Sequence, residues 1–128
     1  LFPFPVYAID YVSDEKQMAR LYNAVDAYVT PSLEDNLPNT IVEALSCGIP
    51  CVGFNVGGIP EMIDHRRNGY LAEARNAEDL AEGIHFTLET APWEELSAHA
   101  VHSALAHYGE TNVASKYIAV YKRASEKR

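Results

Sequence analysis

The sequence is short of cysteine, of basic residues and of long apolar runs, and each shortage excludes a class of protein. Only two cysteines, Cys47 and Cys51, occur in 128 residues, so a zinc site with about four ligands is not predicted. They lie near a predicted helix end and strand start, where we expect free core thiols of a reducing compartment. No apolar run approaches the roughly 20 residues that a membrane-spanning helix needs, so no transmembrane segment is predicted.

Basic residues are outnumbered, with 10 Lys and Arg against 18 Asp and Glu and a net charge of −8. Binding to a nucleic-acid backbone requires clustered Lys and Arg, which displace counterions from the phosphates. The mid-chain cluster, Arg66 and Arg67 in HRRNG, is interpreted as a solvated turn rather than as a set of phosphate ligands. No nucleic-acid partner is therefore expected.

The start of the chain also lacks two familiar signals. LFPFPVY has neither the basic first segment nor the small-residue cleavage site of a signal peptide, and no initiator methionine precedes it. We therefore expect a cytoplasmic protein and a chain that is a piece of something longer.

Short β-branched and aromatic runs alternate with helical patterns along the chain. Helix signals include a cap at Ser13 or Asp14, a proline start at Pro38 with a stop at Gly48, and a cap at Asn76. Alternation of this kind predicts βα units and a parallel sheet covered on both faces. The predicted strands cover residues 6–12, 26–31, 51–54 and 70–73.

The predicted fold class is α/β, with a Rossmann-like parallel sheet flanked by helices in one partial domain over residues 1–128. A doubly wound nucleotide domain has about six strands, so we expect the first one or two βα units to be missing. The helices at 92–128 have no strand between them and are expected to pack on the outside. Tyr117, Val120 and Tyr121 share a helical face and are expected in the core or in a domain interface.

Two acids, Asp35 and Glu43, flank the predicted helix start near Pro38. The loop before this helix follows the carboxyl end of a predicted strand, where ligands bind in open α/β sheets. Free N–H groups of a first helical turn bind phosphate, and Asn39 and Thr40 add side-chain donors. Carboxylates accept hydrogen bonds from sugar hydroxyls, so the arrangement fits a nucleotide-sugar. The spacing alone is also compatible with Asp35 as a helix-capping residue and Glu43 as a solvated helix position. Ligand binding and this structural interpretation therefore both stay open.

The segment DAYVTPSLEDNLPNTIVEALSCGIPCVGFNVGGIPEMI resembles the donor-binding segment of the group 1 retaining glycosyltransferases, which have the GT-B fold. The family signature has two acids separated by seven residues, a Cys-Gly step, a proline, a short strand and a Gly-Gly turn. Asp35 and Glu43 take the positions of the acids, and Gly57 and Gly58 take those of the turn. The resemblance covers roughly residues 7–85, and its first acid is Asp where the family usually has Glu.

The resemblance implies a role for each residue of this segment. Glu43 would hold the ribose hydroxyls, and the turn before it would face the sugar and the diphosphate. For Gly57 and Gly58, close approach to the donor and plain turn geometry both stay open. The implied ligands are Asp35, Asn36 and Leu37 for the donor sugar, Pro38, Asn39 and Thr40 for the diphosphate, and Glu43 for the ribose.

The resemblance further implies a retaining hexosyltransferase that needs no metal or other cofactor. It would transfer a sugar from a UDP- or GDP-sugar to a saccharide or lipid-linked acceptor, as in polysaccharide biosynthesis. The donor lies in the C-terminal domain of such enzymes, and the acceptor in an N-terminal domain that is absent here. We therefore expect this chain to be inactive alone. Any association of the enzyme with a membrane is expected to be made by the absent domain.

Two other functions fit parts of the sequence. A nucleotide-sugar epimerase has the same architecture, but its chemistry needs more acids and bases around the sugar than Asp35 supplies. A non-catalytic interaction module would have lost donor binding and could dimerise through an exposed sheet edge. Nucleotide binding near residues 35–43 distinguishes the interaction module from the two enzymes.

Overall fold

The computed structural model describes residues 2–126, which form a three-stranded sheet and five α-helices. A short 3-10 helix at Ile59–Glu61 precedes the last strand, and a π-helical turn at Phe86–Thr90 continues the third α-helix. The strands are β1 (Tyr28–Thr30), β2 (Cys51–Phe54) and β3 (Gly69–Ala72), and the helices are α1 (Glu15–Tyr22), α2 (Asn39–Ser46), α3 (Ala77–His85), α4 (Trp93–Tyr108) and α5 (Glu110–Glu126).

The sheet is parallel, with the strands side by side in chain order β1-β2-β3. Val29 pairs with Val52, which in turn pairs with Tyr70. All four residues of the central strand β2 are buried, as expected for a parallel strand with helices on both faces. The predicted α/β class, a Rossmann-like parallel sheet flanked by helices, is confirmed.

Alternate residues of β2 belong to different cores because successive side chains of a strand point to opposite faces. Cys51 packs in the larger core with Ile41 and Leu45 of α2 and Ala100 of α4. Val52 and Phe54 pack on the other face, against partly buried residues of α3 and of the π-helical turn. The sheet is therefore a middle layer, with α2 and α4 on one face and α3 on the other.

Local signals set the ends of α2 as predicted. The helix begins at Asn39 with Pro38 as its N-cap. At its other end Gly48 has a φ of +75°, a conformation that favours glycine. The Ile49 N–H donates to the Ala44 carbonyl and the Gly48 N–H to the Leu45 carbonyl, each at 2.9 Å. These two bonds form a Schellman motif, which ends the helix and turns the chain into β2.

The strand predicted at 6–12 is wrong. These residues have no regular secondary structure, and Tyr7, Ile9 and Tyr11 are exposed. A strand is stabilised by hydrogen bonds to a neighbouring strand, and no described part of the chain pairs with this segment. The sheet therefore has three strands over residues 2–126, instead of the four predicted.

The last two helices differ in how they pack. Leu96, Ala100 and Ala104 of α4 are buried, the two alanines in the larger core, whereas α5 has no buried residue over its described length. Tyr117 and Tyr121 are 60% and 67% exposed, so their face does not lie in the core of this chain, and the alternative of a domain interface remains a prediction. None of the described helices combines the length and apolarity needed to cross a bilayer.

Candidate functional site

The start of α2 presents exposed polar groups at the carboxyl end of β1. Asn39 and Thr40 are exposed, and no side chain caps the helix. The Ile41 N–H is already bonded to the Pro38 carbonyl at 3.1 Å. Donors for an anion at this end are therefore the Asn39 and Thr40 groups that precede Ile41, backed by the positive end of the helix dipole.

Tyr28 forms a hydrogen bond to the first turn of α2. The Tyr28 hydroxyl, on the first residue of β1, donates to Thr40 Oγ1 at 2.9 Å. A hydroxyl that accepts a hydrogen bond keeps its own proton for donation. The contact therefore leaves Thr40 able to donate to a ligand at the start of α2.

Glu43 lies one turn further along α2 and borders a groove of about 520 Å³ between α1 and α2. Its Oε2 accepts a hydrogen bond of 2.9 Å from the Tyr22 hydroxyl at the end of α1. The groove also takes in Asn39 of the helix start, and Tyr11 and Val12 of the preceding segment. Glu43 is thus an exposed carboxylate on the wall of a cavity large enough for part of a nucleotide.

The chemistry of the groove is acidic and otherwise neutral. Its charged lining residues are Glu15 and Glu43, and the described lining contains no Lys or Arg. Burial, and secondarily the charge of Glu43, raises the pKa of the Cys47 thiol on the same wall, so Cys47 stays uncharged at neutral pH. Such a lining suits hydroxyls and an apolar ring better than a phosphate.

Asp35 is held in a different way and does not line this groove. The Gly58 N–H donates to the Asp35 carbonyl at 3.1 Å. A Cβ atom built on Gly57 would overlap the Asp35 carbonyl, and one on Gly58 would overlap that of Asn36. The glycine pair therefore allows the loop carrying Asp35 to approach the turn after β2, and its contact with a donor remains a prediction.

The structure thus separates the predicted site residues into two groups. Asn39 and Glu43 meet in the groove, whereas Asp35 is half-buried in a loop packed on the glycine turn. Asn36 and Leu37 are exposed on that loop, and Pro38 connects it to α2. Their assignment to the donor sugar and to the diphosphate remains a prediction.

Sequence reasoning missed the tyrosines and the segment before α1 as parts of the site. The ring of Tyr22 lies in the larger core, but its hydroxyl bonds to Glu43. The available signal was the residue type, since a buried tyrosine usually requires a hydrogen-bond partner. The partner lies 21 positions away, so the sequence does not identify it.

Arg66 and Arg67 lie in the turn that precedes β3. Arg66 has a φ of +64°, and its guanidinium lies 5.1 Å from the centre of the Phe86 ring. Arg67 is 3.7 Å from Asp64 in an exposed ion pair. Both contacts are structural, as the interpretation of HRRNG as a surface turn predicts. Across residues 2–126 no cluster of three or more potential metal ligands occurs.

These features define a Rossmann-like α/β domain with a groove, bordered by Glu43, beside the helix that follows its first strand. The sequence model of the family described as Glycosyl transferases group 1 matches residues 5–90. The chain therefore belongs to the group 1 glycosyltransferases, and the resemblance seen in the sequence is confirmed.

Two curated relatives illustrate the similarity. The N,N'-diacetylbacillosaminyl-diphospho-undecaprenol alpha-1,3-N-acetylgalactosaminyltransferase of Campylobacter jejuni is 31% identical over 91% of this chain and 31% of its own length. The N-acetyl-alpha-D-glucosaminyl L-malate synthase of Bacillus anthracis is 27% identical over 87% of this chain and 29% of its own. The chain thus spans less than a third of the length of these two enzymes.

Solved structures agree on the fold. Sucrose-phosphate synthase from Thermosynechococcus elongatus superposes with a TM-score of 0.77 at 23% identity, over 88% of this chain and 29% of that one. Anabaena HepE in complex with UDP-glucose gives a TM-score of 0.73 at 23% identity, over 83% of this chain and 30% of that one. At this identity the likeness establishes the fold alone.

Proposed function

We propose that this chain is the donor-binding part of a retaining glycosyltransferase that uses a UDP- or GDP-sugar. The observation that carries the proposal is the position of Glu43, an exposed carboxylate on the groove wall one turn from the open start of α2. A carboxylate beside a helix N-terminus offers an acceptor for a ribose diol next to donors for a phosphate. A nucleoside diphosphate has these two groups in the same order.

In this arrangement the nucleoside lies in the groove and the diphosphate lies at Asn39 and Thr40. The acidic groove repels phosphate and accepts hydroxyls, so the charge of the lining favours this orientation over the reverse. The transferred sugar then points toward the loop of Asp35, Asn36 and Leu37. The complex of HepE with UDP-glucose supports UDP as the first nucleotide to test.

The chemistry proposed for the whole enzyme is positioning and charge stabilisation. The amides of the α2 start and the Thr40 hydroxyl would stabilise negative charge on the departing diphosphate. No side chain of the described site acts as a covalent nucleophile in this proposal, and no metal ion or other cofactor takes part. The acceptor, a saccharide or a lipid-linked saccharide, would be held by an N-terminal domain, so we propose that this chain alone is inactive.

A titration tests the donor site directly. The isotope-labelled chain is titrated with UDP, GDP and AMP while its backbone amide shifts are followed. Saturable shifts at residues 35–43 and 57–58 and at the groove, for one nucleotide over the others, are expected. Absence of any shift at millimolar nucleotide would contradict a donor site in this chain and favour the interaction module.

One observation favours that second function. Exposed large apolar side chains occur both before α1, as in Tyr7 and Ile9, and along α5, as in Ile118 and Tyr121. Apolar surface of this kind is typical of interaction sites, and an exposed sheet edge would be the proposed route to a dimer. Family membership favours the transferase over the epimerase.

A further inference from the structure

The last residue of α1, Tyr22, joins the core to the candidate groove. Its ring belongs to the larger core and is 6% exposed, while its hydroxyl reaches Glu43 Oε2 at 2.9 Å. A phenylalanine would fill the same core space without burying part of a hydroxyl. The contact with Glu43 is therefore what the tyrosine adds to packing.

The direction of this hydrogen bond is fixed. Burial first, and the bond to Glu43 second, raises the pKa of Tyr22 well above its ordinary value, so the hydroxyl keeps its proton and donates. Glu43 is the acceptor through Oε2. Its Oε1 accepts no hydrogen bond from residues 2–126 and remains available to a ligand in the groove.

The tyrosine ring is itself held in place. It contacts the ring of Tyr28 edge to face, with 6.0 Å between ring centres and 70° between planes. A free glutamate on an exposed helix face samples several rotamers, and a ligand that needs one of them must order it. A carboxylate already held by a fixed donor avoids that loss on binding.

We propose that Tyr22 is a positioning residue for the donor nucleotide, holding Glu43 so that its free carboxylate oxygen accepts the ribose hydroxyls. The inference rests on the proposed role of Glu43 as the ribose ligand. It adds a residue of α1 to a site built on α2. It also gives Glu43, the second of the two acids, a hydrogen-bond partner that lies outside the family signature.

The chain offers a matched control in Tyr70. Tyr70 is also 6% exposed, and its hydroxyl also donates to a carboxylate, Asp79 Oδ1, at 2.8 Å. Asp79 lies on α3 and does not line the groove. Tyr22→Phe and Tyr70→Phe therefore remove the same kind of hydrogen bond, but only the first removes it from the proposed site.

The experiment measures the affinity of the 128-residue chain and its variants for UDP and GDP and for their 2′,3′-dideoxy forms, by calorimetry. Tyr22→Phe is expected to weaken the ribonucleotide by up to about tenfold, the scale of ordering one long side chain on binding, and to leave the dideoxy form unchanged. Tyr70→Phe is expected to change neither.

The outcomes separate this inference from the function on which it rests. A wild-type chain that binds no nucleotide, or that binds ribose and dideoxyribose forms equally, overturns the ribose role of Glu43 and the inference with it. A wild-type chain that prefers the ribose form, with Tyr22→Phe preserving that preference in full, overturns the inference alone. Equal weakening of both forms by Tyr22→Phe would show a purely structural role and contradicts it too.

Discussion

The two acids of the signature are supported through different atoms. Glu43 is held through its side chain, by the hydroxyl of Tyr22. Asp35 is held through its backbone carbonyl, by the Gly58 N–H, which leaves its carboxylate free of that contact. We infer that the position of the Asp35 loop sets the reach of its carboxylate, which is one methylene shorter than the usual glutamate.

Alanine substitutions should therefore have separable effects. Glu43→Ala is expected to abolish measurable binding of UDP and GDP because it removes the acceptor for the ribose. Asp35→Ala is expected to spare the free nucleotides and to weaken the nucleotide-sugar about tenfold, since it loses contacts to the sugar only. Calorimetry with UDP and with UDP-glucose measures both. The division of roles is wrong if each variant loses both ligands equally.

Another carboxylate, Asp79, makes stability depend on pH. Hydrogen bonds from the Glu73 N–H and the Tyr70 hydroxyl lower the pKa of Asp79 below its ordinary value of 3.8. When folding lowers the pKa of a carboxyl group, its ionised form stabilises the folded protein at pH values above the ordinary pKa. That stabilisation is lost as the pH falls through the folded-state pKa.

Thermal unfolding of the wild type and of Asp79→Asn tests this contribution. At about pH 6 the wild type should unfold at the higher temperature, since Asp79 is ionised there in both states. The difference should shrink as the pH falls below the ordinary value toward about 2. A difference that stays constant across this range would show that ionisation of Asp79 does not contribute.

At the scale of elements, the loop before α2 depends on the turn after β2. Gly58 has a φ of −90°, which any residue adopts, so a side chain there adds no backbone strain and conflicts with the Asn36 carbonyl and, less closely, with the Leu37 side chain. Gly57 has a φ of +53°, so substitution there adds backbone strain to the overlap. Gly58 is therefore the cleaner position for testing the packing of the loop.

Gly58→Ala should displace the Asp35 loop and lower the free energy of unfolding by about 1–3 kcal/mol, the usual effect of overpacking. Amide shifts should change over residues 33–37, and nucleotide-sugar affinity should fall more than UDP affinity. Asn55→Ala is the control, because exposed Asn55 lies in the same turn and keeps its N–H bond to the Ala72 carbonyl. Unchanged shifts over 33–37 in Gly58→Ala would contradict the close approach.

At the scale of the whole molecule, α4 completes the core and α5 does not. Ala100 and Ala104 are buried with α2 and β2, and the Trp93 indole donates to the Asp26 carbonyl at 2.7 Å. The described part of α5 is exposed, and its Asn112 side chain contributes hydrogen bonds to the Leu105 and Ala106 carbonyls near the end of α4.

Removing residues 110–128 is therefore expected to lower the free energy of unfolding by only about 1 kcal/mol, the scale of a lost cap. Removing residues 92–128 should prevent folding, because the larger core would lose its α4 side. Urea unfolding followed by circular dichroism compares the two truncations with the full chain. A chain of 1–109 that fails to fold would show that α5 supports the core after all.

Local chemistry determined most of the elements and the family of this protein. The caps at Asp14 and Asn76 and the stop at Gly48 were predicted because each depends on residues within a few positions. The acids, the Cys-Gly step and the glycine pair identified the group 1 glycosyltransferases, and the family match confirms it.

Tertiary structure alone decided what depends on distant partners. Residues 6–12 have the composition of a strand but no described partner strand, and composition does not supply one. Tyr22 and Glu43 meet because α1 packs beside α2, and the Asp35 loop meets Gly58 because both follow neighbouring parallel strands. The sequence by itself named the two acids of the candidate site. Only the fold determined which residues hold them, because those contacts join positions more than twenty residues apart.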